Sequence, residues 1–211
     1  MKKGLLLMVF LITSFSANAQ VINGIGKLRL DMTLKEVRAI FPKSLVKAKT
    51  GSRVKKVYKI NTYTPIKNHI CKDIRLFFYN DTLYAIYVNK APEILINSFG
   101  IKYGKPHEHA NGYYSSLAEA KDVYKNDFVD FIDTYEPKKK DIVVRTYEWN
   151  KDNPFIESIF WQRFYKDENY EVAGHFVFII RNKVISECVR LEDKILDEQD
   201  KENQKKDLDG L

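Results

Sequence analysis

Short runs of aromatic and β-branched residues, separated by turn sequences, are the feature that most constrains the fold of this 211-residue chain. Such residues fit the half-buried surface of a sheet, so each run predicts a strand. Asn80-Asp81-Thr82 lies between two of the runs and is typical of a tight turn between antiparallel neighbours. Arg181-Asn182-Lys183 is interpreted as a similar turn. The predicted strands are residues 53–63, 74–79, 83–88, 142–149, 156–165, 172–180 and 184–189.

Helix signals alternate with these strands. Thr33 and Glu36 form a capping box, in which a hydroxyl and a carboxylate accept the first amides of a helix. Ser116 and Glu119 form a second capping box before a longer apolar stripe. Further helices are predicted over residues 92–103 and 191–196.

The order of helix and strands occurs twice along the chain. This order predicts an α+β fold, with one or more antiparallel sheets, helices packed on one face, and a tandem repeat of two helix-plus-strands units. The predicted parts are a signal peptide (1–19), an N-terminal half (20–106), a C-terminal half (107–196) and a charged, frayed tail (197–211).

The first twenty residues indicate export. Lys2 and Lys3 precede an uncharged apolar run over residues 4–15, and Ala17-Asn18-Ala19 fits the pattern of a cleavage site. The run is shorter than the roughly 20 residues of a membrane-spanning helix, so a cleaved signal peptide is predicted, with Gln20 as first mature residue. We expect an exported bacterial protein, periplasmic or extracellular, with no transmembrane segment, no cofactor and no nucleic-acid partner.

The charge is divided unevenly along the chain, whose formal net charge is +7. No acidic residue lies between Glu36 and Asp73, a window that holds ten lysines and arginines. A field of this sign attracts anionic partners, although such a run can equally be a solvated surface. We therefore predict binding of an envelope protein or an anionic surface ligand. The predicted partner-binding residues are Arg53, Lys55, Lys56 and Lys59.

Cys71 and Cys188 are the only cysteines. In an exported protein they can form a disulfide, which would contribute about 4–5 kcal/mol in the chain-entropy model, or stay as two buried thiols. His69 beside Cys71 offers a base next to a nucleophile, but no third orienting group is identifiable.

Two other groups carry weaker chemical alternatives. His107 and His109 can present both imidazoles on one side of an extended segment, yet a metal there needs a third ligand, and no metal site is predicted. Glu148 and Glu157 lie near tryptophans, as the carboxylates of a sugar-cleaving site would, but that chemistry depends on their separation in space.

The segment Leu30-Asp31-Met32-Thr33-Leu34-Lys35-Glu36-Val37 resembles the helix-start pattern of the SmpA and β-lactamase-inhibitor-protein-like superfamily. The usual pattern has glycine where this chain has Asp31. Members are small exported domains of one or two α+β units. The resemblance implies protein binding across a concave sheet, without catalysis.

Together these patterns predict an exported, non-catalytic binding domain that uses its sheet face or its basic N-terminal part. No catalytic motif indicates an enzyme. The alternatives are a periplasmic hydrolase of glycan or peptide and a structural component of envelope assembly.

Overall fold

The computed structural model describes residues 21–114, 141–167 and 170–209. The predicted signal peptide and the second capping box lie outside the described residues. The described elements are β1 (Gly24–Ile25), β2 (Leu28–Arg29), α1 (Leu34–Ile40), β3 (Val46–Ala48), β4 (Lys56–Ile66), β5 (His69–Tyr79), β6 (Thr82–Lys90), α2 (Ile94–Tyr103), β7 (His107–Tyr114), β8 (Asp141–Trp149), β9 (Ile156–Asp167), β10 (Tyr170–Asn182) and α3 (Lys183–Asp209).

Two four-stranded meanders make one antiparallel sheet, in the spatial order β3-β4-β5-β6-β10-β9-β8-β7. They join where β6 pairs with β10, with Val88 opposite Phe178. The strands β1 and β2 form a separate hairpin. The α+β class and the antiparallel sheet are thus confirmed, while the tandem repeat stays a prediction because residues 115–140 lie outside the described residues.

The turn between β5 and β6 has the geometry that its sequence predicts. Tyr79 is paired with Thr82, and the two residues between them, Asn80 and Asp81, have φ angles of 46° and 64°. A two-residue hairpin loop whose twist matches that of its strands requires positive φ at both central positions. Asn and Asp tolerate positive φ better than most other residues.

The entry to α1 is also formed as predicted. The Thr33 amide donates to Glu36 Oε2 at 2.7 Å, and the Glu36 amide donates to Thr33 Oγ1 at 3.3 Å, which completes the capping box. Just before it, Asp31 has a φ of 71°, a conformation that glycine adopts with least strain. Its amide donates to the Leu83 carbonyl at 2.8 Å, which secures the approach to α1 against β6.

The main core lies on the sheet face covered by α1, α2 and the β1–β2 hairpin. Phe178 of β10 is fully buried there, with its ring centroid 4.8 Å from that of Phe99 on α2 and 5.6 Å from that of Phe160 on β9. Phe178 therefore connects a helix of the first half to strands of the second.

The opposite sheet face carries a smaller core under α3. Val189 and Ile185 of α3 pack with Tyr84, Tyr87 and Ile179 from the sheet. This placement differs from the one-face arrangement of helices that the sequence predicts.

The chain enters α3 directly from β10, so the predicted turn at 181–183 and the returning strand at 184–189 are wrong. The side-chain oxygen of Asn182 accepts the Ile185 amide at 3.0 Å, as a helix-capping residue does. Asn is common both in turns and at helix caps, so this residue alone does not distinguish a hairpin from a capped helix. The helix also includes residues 197–209, where the sequence predicts a frayed tail.

No helix within the described ranges combines the length and the apolar character needed to cross a membrane.

Phe178→Ala is expected to lower the free energy of unfolding by about 3–5 kcal/mol, because it leaves a cavity where both halves meet. Phe155→Ala is the matched control, since Phe155 is 60% exposed and its loss is expected to change stability by about 0.5 kcal/mol or less. Urea unfolding followed by fluorescence measures both. Equal losses would contradict the central role of Phe178.

Candidate functional site: a basic pocket on the sheet

A cavity of about 310 Å³ opens on the sheet face that α3 partly covers. We call it the basic pocket. Four cationic side chains line it, namely Lys49, Lys55, Lys59 and Arg75. Its apolar and aromatic lining comes from Val57, Phe77, Tyr84 and Tyr87. No acidic side chain lines it among the described residues.

Strand geometry brings these cations together. Lys59 on β4 is paired with Arg75 on β5, and Arg75 is paired with Tyr87 on β6. Side chains of paired residues project to the same face of a sheet, so the three form a row across three strands. Phe77, two residues beyond Arg75, lies on that face as well.

A register shift explains how two tyrosines only three residues apart line one pocket. Phe77 pairs with Ala85, but the next residue, Phe78, pairs with Leu83, so Tyr84 is an extra residue in β6. Strict alternation would place Tyr84 and Tyr87 on opposite faces. The irregularity brings both to the pocket face, where each is about 95% buried.

The outer wall of the pocket is a loop that Ser52 organises. Ser52 Oγ accepts the amides of Val54 and Lys55 at 3.2 and 3.1 Å, and it donates to Asp193 of α3 at 2.9 Å. These bonds fix the backbone from which Lys55 extends over the ring of Phe77, with Nζ 5.9 Å from the ring centroid. The helix α3 thus helps to hold the wall of the pocket.

Asp73 is the acidic partner of Lys59, one of the four pocket cations. Its Oδ1 lies 3.1 Å from Lys59 Nζ, and its Oδ2 accepts the side-chain amide of Asn89 at 2.9 Å. Burial acts to raise the pKa of the Asp73 carboxyl, but the interactions with Asn89, Lys59 and Arg75 outweigh burial and hold the pKa below its ordinary value. The carboxylate therefore orients Lys59 and offsets one of the four positive charges.

The four residues predicted to bind a partner separate in the structure. Lys55 and Lys59 line the basic pocket. Arg53 instead reaches α3, with ion pairs of 2.9 Å to Asp200 and 3.7 Å to Asp197. Lys56 is exposed but alternates with Val57 along β4, so it lies on the opposite sheet face.

The other two cationic residues of the basic pocket, Lys49 and Arg75, were not predicted from the sequence. Lys49 stood in the acid-free window but carried no distinguishing signal. Arg75 lies just beyond that window. It stands two residues before Phe77 on β5, and this spacing indicates that a cation and an aromatic ring share one sheet face.

The two cysteines are not joined. Cys71 is buried in the main core on β5, and Cys188 is exposed on α3, which lies over the other sheet face. Of the two alternatives that the sequence leaves open, the disulfide is absent from this structure, and Cys71 alone is a buried thiol. Burial raises the pKa of the Cys71 thiol to about 12, which is the opposite of what a nucleophile beside His69 requires.

The two candidate carboxylates lie on neighbouring strands and project to one sheet face, because Glu148 of β8 is paired with Ile159, two residues beyond Glu157 on β9. Glu157 is bonded to Arg181, whereas Glu148 lines a separate open cavity of about 400 Å³ with His107 and Trp149. Among the described residues no three metal-ligating side chains gather. His69 on β5 and His107 on β7 belong to strands separated by four others, a distance of roughly 24 Å at the usual strand spacing.

No family model, curated protein or solved structure matches this chain. The resemblance to the SmpA and β-lactamase-inhibitor-protein-like superfamily stays a prediction.

Thiol titration with an aromatic disulfide reagent is expected to detect one reactive thiol per native chain and two after denaturation in urea. Exposed Cys188 reacts in the native state, while buried Cys71 reacts only on unfolding. Detection of no thiol in either state without reductant would instead establish a disulfide.

Asp73→Asn is expected to reduce the loss of stability on acidification. Because the folded-state pKa of Asp73 is depressed, the stabilisation is fully present above its unfolded value of about 3.9 and is lost as pH falls through the folded pKa. Urea unfolding from pH 6 to pH 3 should therefore show a shallower acid decline for the variant. Parallel curves would contradict the ionic role of Asp73.

Proposed function

We propose that this chain is an exported, non-catalytic binding domain that recognises an anionic ligand in the basic pocket. The observation that carries the proposal is the convergence of four cations on one cavity with no acidic side chain lining it among the described residues. Export rests on the N-terminal leader pattern.

The surroundings strengthen attraction for an anion. Buried aromatic rings beneath the cations lower the local dielectric constant, and charge–charge interactions are stronger there than in open water. Arg75 offers a planar, forked set of donors for a carboxylate or phosphate, whereas the lysines act as compact charges. The contribution of Asp73 leaves the group with a net charge of about +3, which favours a ligand with more than one negative charge.

The size of the pocket limits what it can enclose. Ligand cavities commonly measure about 300–1,000 Å³, so this one is at the small end. We infer that it accommodates a small multivalent anion or one acidic portion of a larger ligand, whose apolar part contacts Val57 and Phe77.

Lys55→Glu is expected to weaken binding of inorganic tripolyphosphate by about tenfold or more, because a hydrogen bond to a charged group contributes about 1.5–3 kcal/mol. Lys56→Glu is the matched control: it makes the same charge change one residue away but on the other sheet face. Calorimetric titration at low and high salt measures the affinity, and amide shifts in NMR locate the site. If the two variants weaken binding equally, the anion is attracted by the net charge of the whole protein, and the proposal that it binds in the basic pocket is wrong.

A further inference from the structure

The basic pocket opens beside a sheet edge. In the described part of the chain β3 is the outermost strand next to β4, and it comprises only Val46–Ala48. Val46 is 60% exposed, although a β-branched apolar residue on a strand is usually covered. The outer side of an edge strand presents N–H and C=O groups on which another strand can form.

Edge and pocket share one face of the sheet. Ala48 is paired with Val57 and lines the pocket, and Val46 is paired with Lys59. Because side chains alternate along a strand, Val46 and Ala48 project to the pocket face and Lys47 to the other. A strand added beside β3 would therefore present every second side chain to the face that carries the pocket cations.

The charge at this edge selects what can be added. Lys43, Lys47 and Lys49 are exposed in and beside β3, within the window that has no acidic residue. Lysines at an edge oppose pairing with a second copy of the same edge, since like charges would meet. The same lysines favour a strand that is rich in Asp or Glu.

We propose that β3 accepts an extended acidic segment of a protein partner as an added antiparallel or parallel strand, with alternate acidic side chains directed to the basic pocket. The proposal rests on the proposed function, because the pocket cations supply the attraction. The edge supplies main-chain hydrogen bonds, and these determine that the ligand is a peptide rather than a compact anion.

Calorimetry measures how tightly the full mature chain binds the peptide acetyl-(Glu-Thr)₃-amide and its neutral counterpart acetyl-(Gln-Thr)₃-amide. Two further acidic peptides carry N-methyl groups, one on the glutamates and one on the threonines. In an added strand, alternate amides face β3, so one methylated peptide is expected to bind about tenfold weaker or worse while the other binds like the parent. Amide hydrogen exchange within residues 46–48 is expected to slow in the complex.

The outcomes separate the two proposals. If both methylated peptides bind like the parent and Lys55→Glu weakens all of them, the pocket binds anions without strand pairing, and the edge proposal is overturned while the proposed function stands. Binding of tripolyphosphate without binding of any peptide leads to the same conclusion. If neither tripolyphosphate nor peptide binds, both proposals fail. Equal binding of the neutral peptide would also overturn the acidic specificity.

Discussion

The pairing of β6 with β10 in the middle of the sheet is the interaction on which the rest of the structure depends. Each strand is the last of its own meander, so their hydrogen bonds turn two small sheets into one. Val88 and Phe178 meet there on the main-core side, and Tyr87 and Ile179 meet on the other. Both cores are therefore continuous across the junction, and the face that carries the basic pocket is supported by strands from both halves.

The helix α3 follows from the same junction. Asn182 caps the helix directly at the end of β10, and Val189 and Ile185 then pack on the pocket side of the sheet. Farther along, Asp193 accepts the hydroxyl of Ser52, and Asp200 pairs with Arg53. Exposed ion pairs contribute little singly, but here they accompany a side-chain hydrogen bond to the loop that carries Lys55. Acidic residues of α3 thus hold the basic loop in place.

The sequence predicted features that depend on neighbouring residues. The Thr33–Glu36 capping box, the Asn80–Asp81 turn and the strands on both sides of that turn are local, because backbone sterics and hydrogen bonds within a few residues determine them. The prediction failed at 181–189, where an Asn followed by a β-branched run suits both a hairpin and a capped helix. Packing against Tyr84 and Tyr87 decides for the helix, and that packing is not a property of the local sequence.

The predicted partner-binding residues also show which properties follow from the sequence and which follow from tertiary structure. The sequence by itself determined that residues 36–73 carry an excess of positive charge, that the strands alternate and that the cysteines number only two. Only the tertiary structure decided that Lys55 and Lys59 share a cavity with Arg75, that Arg53 turns to α3 and that Lys56 lies on the far face. The physical reason is that a site forms from side chains on paired strands, and the pairing register, including the extra residue at Tyr84, depends on contacts between residues far apart in the chain.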